Sequence, residues 1–374
     1  MLIYLLLLFL PVLTFGNLFE SELRTVQVSN SEIIVIQEHE KLKLKRRGVS
    51  FMDISDFPSL FKSKIDPVVP SYKYPASPSH QQKGVERLFP AINRDSMYKN
   101  LASMTSFYTR YYKSKEGVKS AKWVSETLHN VTSVIGDHAE IHHFDHAKWE
   151  QFSIIVRILG SKAPENVVVF GSHHDSMNLL FPSLMPAPGA DDNASGTVTN
   201  IEALRVYCEY LAETQNWPKN TVEFHFYSAE EGGLLGSLDI FTSYREESKS
   251  VVAMIQQDMT GYIQDKKDEH IGIVTDYTDP RLTEFVKMII DSYLEIPYKE
   301  SSCGYACSDH GSATKNGYPA AFVIESEDSQ TNRYIHTNMD TLDRLSLSHM
   351  VQHVRLALGA TLELGDWEVE QIQS

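Results

Sequence analysis

Five short segments in the second half of the chain carry side chains suited to holding metal ions: Gly171-Ser172-His173-His174-Asp175, Gly189-Ala190-Asp191-Asp192-Asn193, Ala229-Glu230-Glu231-Gly232, Gln257-Asp258-Met259 and Ile335-His336-Thr337. Zinc takes imidazole nitrogen and carboxylate oxygen, and a catalytic zinc keeps one position open. The set divides evenly. His173 and Asp258 suit one ion, Glu231 and His336 suit the other, and Asp191 is expected to bridge them at the ~3.5–4 Å separation of two-metal hydrolases. Two dications against three carboxylates leave a positive centre that favours hydroxide over water. Glu230 is then free to act as general base, provided the backbone turns at Gly232-Gly233. Asp175 is expected behind the His173 imidazole, and Asp340 behind His336 or capping the next turn. The expected cofactor is two Zn2+ per subunit, although cobalt or manganese suits similar ligands.

These segments need a frame that brings them together. Apolar runs predict strands at residues 153–158, 166–170, 221–227, 251–256, 271–274 and 320–324, and helical spacing predicts helices at 97–112, 119–130, 196–212, 235–244 and 280–294. Runs such as Val167-Val168-Val169-Phe170 suit strands buried on both faces. The alternation predicts an α/β fold, a three-layer α/β/α sandwich with a mixed, mostly parallel central sheet. His173, Glu230 and Asp258 each follow a predicted strand, where ligands gather in open α/β sheets. His142, His143 and His146 are read as surface histidines in a polar connection, and His310 as lying near the site without binding metal.

The 374 residues fit one large catalytic domain and an appendage. A net charge of -15 argues against nucleic acid or an anionic membrane as partner. Residues 1–16 read as a secretory signal, too short to span a bilayer, which predicts a secreted, extracellular protein with no membrane contact after signal removal. Residues 17–82 read as a propeptide. It has a β-like run at 31–36, a charged helix at 38–48 and an exposed Pro/Ser-rich linker through Pro67, Pro70, Pro75 and Pro78, with removal near Ser77 to Gly84. The basic run Lys45-Arg46-Arg47 reads as a solvated helix face in preference to a processing site. The catalytic domain is placed at 83–374. Among three cysteines, Cys303 and Cys307 either close a small loop or stay reduced, and Cys208 reads as a core filler. Asn130 heads a glycosylation sequon, which makes the protein a candidate glycoprotein. The sequon at Asn193 lies in the proposed metal turn and is expected to stay unmodified.

From Phe107-Tyr108-Thr109-Arg110-Tyr111-Tyr112 to the C-terminus, the chain resembles the secreted co-catalytic di-zinc leucyl aminopeptidases of bacteria and filamentous fungi. Besides the metal segments, the likeness rests on Gln257-Asp258-Met259-Thr260-Gly261-Tyr262, Val274-Thr275-Asp276-Tyr277-Thr278-Asp279, Cys303-Gly304-Tyr305-Ala306-Cys307-Ser308-Asp309-His310 and Gly317-Tyr318-Pro319-Ala320-Ala321. The pro-segment resembles the fungal branch through Lys45-Arg46-Arg47-Gly48 and Phe51-Met52-Asp53-Ile54. The resemblance implies a monomeric zymogen-derived metalloprotease that removes N-terminal leucine and other apolar residues from peptides with a free N-terminus, using zinc-held hydroxide with Glu230 as acid and base. It also implies a cis peptide between Asp191 and Asp192, a Cys303–Cys307 disulfide, and Tyr305 beside the reacting carbonyl. The pocket it implies is lined by Met259, Val274, Tyr305, Phe322, Ile324 and Ile335. The polar stretch Asp328-Ser329-Gln330-Thr331 departs from the aromatic residues expected there and predicts a relaxed side-chain preference. Two alternatives are a single-zinc glutaminyl-cyclase-like enzyme and a non-catalytic binding protein on the same scaffold. Both ligand sets and Glu230 are present, which argues against each.

Overall fold

The computed structural model describes residues 22–62, 69–79 and 82–372. The proposed signal segment and Pro67 lie outside them. An N-terminal module pairs β1 (Leu23–Gln27), β2 (Ile33–Gln37) and β3 (Met52–Asp53) in the antiparallel order β2-β1-β3. The short helix Glu40–Arg46 joins β2 to β3. The main sheet contains β4 (Ala139–His146), β5 (Trp149–Ile158), β6 (Ala163–His173), β7 (Asn220–Tyr227), β8 (Ser250–Gln257), β9 (Ile271–Val274), β10 (Tyr298–Ser301) and β11 (Ala320–Ile324). Their order is β10-β9-β11-β8-β6-β7-β5-β4. The sheet is mixed: β6 runs parallel to β7 and β8, and β8 to β11, while β4, β5 and β9 bring in antiparallel pairings.

Side chains alternate across a strand, so each central strand feeds two cores. Val168 and Phe170 of β6 enter the larger core with Phe224 of β7 and Ile255 of β8. Helices Lys115–Thr132, Gly196–Thr214, Pro280–Tyr293 and Leu347–Gly365 cover that face. Val167 and Val169 point the other way, onto Ile240, Phe241 and Tyr244 of helix Leu235–Glu246. The helix after β6 thus packs on one face and the helix after β7 on the other, with β7 and β8 on either side of β6, which makes the carboxyl end of β6 a topological switch point. Emptying the central layer, as in Phe224→Ala, costs about 3–5 kcal/mol.

Three expectations change. The helix expected at 97–112 is Arg94–Thr105, because Thr109 bridges Ala187 and the buried Arg110 guanidinium donates to the carbonyls of His174 and Gly189. Residues 139–146 form an edge strand instead of a polar connection. His142 and His143 are exposed, whereas His146 is buried between Asp239 and Ser153. The described part of the Pro/Ser-rich segment is docked. Tyr72 and Tyr74 are buried against Trp367, and Lys73 and Ser71 pair with the backbone of Glu370 and Ile372.

Candidate active site

Strand register sets the geometry. His173 ends β6 level with Tyr227, the last residue of β7, and Gly171 is level with Gln256 of β8, which brings Asp258 alongside His173. Beyond β7 the chain turns tightly with Ala229 and Leu234 at positive φ and Gly233 at φ 104°. This turn separates the directions of Glu230 and Glu231; the positive φ angles fall at Ala229, Gly233 and Leu234 rather than at Gly232, and Gly233 adopts its own without steric cost. The amides of Glu230 and Glu231 both donate to Asp175, whose Oδ1 also lies 3.4 Å from His173 Nδ1. One buried carboxylate thus fixes a histidine and the two glutamates at once.

Two clusters result. His173 Nε2 lies 3.2 Å from Asp192 Oδ1 and 3.3 Å from Asp258 Oδ1. His336 Nε2 lies 2.9 Å from Asp192 Oδ2 and 3.0 Å from Glu231 Oε2. Each cluster offers three ligand atoms close enough to share one ion, and Asp192 gives one oxygen to each.

The expected bridge Asp191 is therefore corrected to Asp192. Asp191 faces away, with Oδ1 accepting from the Gly261 amide, Oδ2 from Asn332 Nδ2, and a further hydrogen bond joining it to Glu325. Burial pushes the Asp191 carboxyl up, and burial beside Asp191 pushes Glu325 well above the carboxylate range. The cis peptide is likewise one residue on, at Asp192–Asn193. Asp340 does not back His336: it accepts the amides of Asp191 and Asp192 and thereby holds the turn. Gly189, at φ 51°, is required here because a Cβ would meet the Asp192 carbonyl oxygen at 2.5 Å.

The donor set fits metal ions. His173 Nε2 and Asp258 Oδ1, which face each other in the first cluster, are buried without a hydrogen-bond partner, a costly state for polar atoms unless an ion completes it. Burial opposes protonation of His336, yet Glu231 and Asp192 outweigh it and hold the imidazole up at about 10. Such an excess of negative charge is what a cation would neutralise. Ser308, which the sequence reading left out, donates to Asp258 Oδ2 at 2.6 Å and leaves Oδ1 directed at His173. His310 stacks on Phe322 and bonds the Asp276 carbonyl, outside both clusters.

Burial pushes Glu230 well above the usual carboxylate range, against the opposing pull of Lys45 and His173. The basic run is not a solvated face. Lys45 Nζ lies 2.6 Å from Glu231 Oε2 and 3.7 Å from Glu230 Oε2, and Arg46 donates to the carbonyls of Leu179 and Leu180. A basic cluster in an acidic chain was the available signal, but helical spacing does not reveal what it faces.

A cavity of about 300 Å³ opens beside the clusters, walled by Met259, Val274, Phe322, Ile324 and Ile335. Gly48 to Phe51 of the N-terminal module line it as well. Tyr305 is not brought to the cavity. Its ring is buried among Met52, Ile54, Leu234 and Leu238, and its loop is closed by the Cys303–Cys307 disulfide. Cys208 is buried, which pushes its thiol up to about 12. Asn130 is exposed near a helix end, while Asn193 is buried and bonded to Gln257 and Gly196.

A mixed sheet with paired carboxylate–histidine clusters at its switch point defines a metallohydrolase. The model of Peptidase family M28 matches residues 153–361, and the chain belongs to that family and is a zinc-dependent aminopeptidase. It is 58% identical to "Probable aminopeptidase YDR415C" of Saccharomyces cerevisiae, over 92% of this chain and 93% of that one. It is 47% identical to "Leucine aminopeptidase 1" of Sclerotinia sclerotiorum, over 88% and 85%. The crystal structure of the LapA aminopeptidase of Legionella pneumophila is similar at a TM-score of 0.81 and 27% identity, covering 93% of this chain and 99% of that one. Among the described residues no helix is long and apolar enough to cross a membrane.

Proposed function

We propose that this chain is a secreted, monomeric two-zinc aminopeptidase that removes leucine and other apolar residues from the N-terminus of peptides. The observation that carries the reading is the placement of Asp192, with one oxygen in each cluster. His173, Asp192 and Asp258 would hold one ion and Asp192, Glu231 and His336 the other. When bound, the ions supply the positive charge that polarises the scissile carbonyl and acidifies the attacking water. Glu230 takes a proton from that water and passes it to the leaving amine, and its raised carboxyl is suited to both steps. The substrate's α-amine takes the place now held by Lys45 Nζ against Glu231. The first side chain enters the apolar cavity, whose limited size favours leucine-sized groups.

The N-terminal module acts as a propeptide. Lys45 engages Glu230 and Glu231 while Gly48 to Phe51 occupy the cavity wall, so a peptide enters once the module leaves. Because Tyr72 and Tyr74 belong to the catalytic core, the mature chain begins ahead of Tyr72 rather than near Ser77 to Gly84. Signal removal after residue 16 and a glycan on Asn130 accord with an exported protein.

Metal analysis of the mature protein together with hydrolysis of leucine p-nitroanilide tests the reading. Two tightly bound zinc ions and activity abolished by 1,10-phenanthroline are expected. Glu230→Gln should keep both ions and lower kcat by roughly 10²–10⁴-fold with little change in KM. One ion per chain would favour the cyclase-like alternative, and a metal-loaded but inert protein would favour the binding scaffold.

A further inference from the structure

One wall of the cavity carries a charge that the proposed reaction does not use. Strands β8, β11, β9 and β10 lie side by side, so the lining runs from Asp258 past Phe322 and Ile324 to Val274 and then Ser301. Asp328 closes this row, its amide donating to Ser301 Oγ at 2.8 Å. That bond anchors it beside β10, about 10 Å (two strand spacings) from β11. Asp328 is exposed at the rim and lines the same cavity. Among the described residues no lysine or arginine pairs with it. Lys299 of β10 is engaged by Asp268 and Glu327, and Arg333 by the Ser329 carbonyl.

We infer that the pocket also accepts lysine and arginine as the first residue of the peptide, with Asp328 the carboxylate that selects their cationic heads. The inference rests on the aminopeptidase reading and extends its substrate class. Long basic side chains lay an apolar stem along hydrophobic surface and keep the charge in water. The walls at Phe322, Ile324 and Val274 meet the first need, and the solvent-facing Asp328 meets the second. Leucine fills the same apolar stretch and stops short of the carboxylate, so both classes fit one pocket. An ion pair at such a rim is weak and salt-sensitive.

The test uses the metal-loaded mature enzyme and the 7-amido-4-methylcoumarins of lysine, arginine, leucine and norleucine. Norleucine matches the lysine stem without its charge. Lysine and arginine should be hydrolysed, and Asp328→Asn should lower their kcat/KM relative to norleucine by about fivefold or less, the range of an exposed pair. Asp328→Lys should lower the ratios further. Raising sodium chloride should depress them in the parent enzyme and leave them flat in Asp328→Asn. Ratios unmoved by both substitutions, with norleucine still cleaved, would overturn the role of Asp328. Hydrolysis of leucine and norleucine without lysine or arginine would also overturn it and leave the aminopeptidase reading standing. Failure on all four substrates would remove the reading beneath it.

Discussion

Lys45 Nζ and Glu231 Oε2 lie 2.6 Å apart, across the junction between the N-terminal module and the catalytic domain. Lys41 reinforces that junction by donating to the Gly232 carbonyl, as does the Asp53 amide bonding the Gly233 carbonyl. Met52, Ile54, Phe57 and Leu60 bury against Leu234 and Leu238 in the same contact. The module thus grips the very turn that carries Glu230. Removing one member of a buried charge pair is costly, on the order of several kcal/mol. Lys45→Ala in the unprocessed chain should therefore weaken occlusion and raise hydrolysis of leucine p-nitroanilide by roughly tenfold or more. Equal activity of the parent and substituted unprocessed chains would show that the contact does not restrain the site.

Asp191 and Asp192 are adjacent acids with opposite surroundings, and substitution separates them. Asp192→Asn removes charge from both clusters and should leave at most one tightly bound zinc. Asp191→Asn faces Gly261, Asn332 and Glu325 instead. It should keep both ions while lowering stability by about 1–3 kcal/mol, because a buried polar contact is lost. Metal content and unfolding midpoints of the two variants decide the matter. The reverse pattern would return the bridge to Asp191.

The sequence carried the sheet well where strands are buried on both faces, as at 271–274 and 320–324, whose bounds the structure reproduces. It failed at edges. β4 is polar on its exposed face and β10 spans only Tyr298–Ser301, so neither presents an apolar run. His336 sits in a loop well past β11, whereas His173, Glu230 and Asp258 were legible as candidates because each lies at or just past the end of a strand. The choice between Asp191 and Asp192 was not, since it depends on a turn held from outside by Asp340 and Asn332, more than 140 residues away. Lys45 was hidden for the same reason. Its partner is 186 residues distant, and a basic helix end reads identically whether it faces water or carboxylates.

His310 makes acid sensitivity testable away from the metal ligands. It is fully buried, stacks on Phe322 with ring centroids 4.8 Å apart, and bonds the Asp276 carbonyl at 3.2 Å. Burial pushes its imidazole down to about 4, against the smaller upward pull of Asp276. An unfolded histidine titrates near 6.5, so between pH 6.5 and 4 the unfolded chain binds a proton that the folded chain refuses. Its contribution to stability is intact above pH 6.5, falls by about 1.4 kcal/mol per pH unit below it, and levels off below pH 4 after a loss of about 3 kcal/mol. His310→Gln retains a donor for the Asp276 carbonyl and cannot titrate. The stability difference between parent and variant in urea should therefore shift in favour of the variant as pH falls from 7 to 4.5. A difference independent of pH over that range would mean that the imidazole is protonated as readily in the fold as in water.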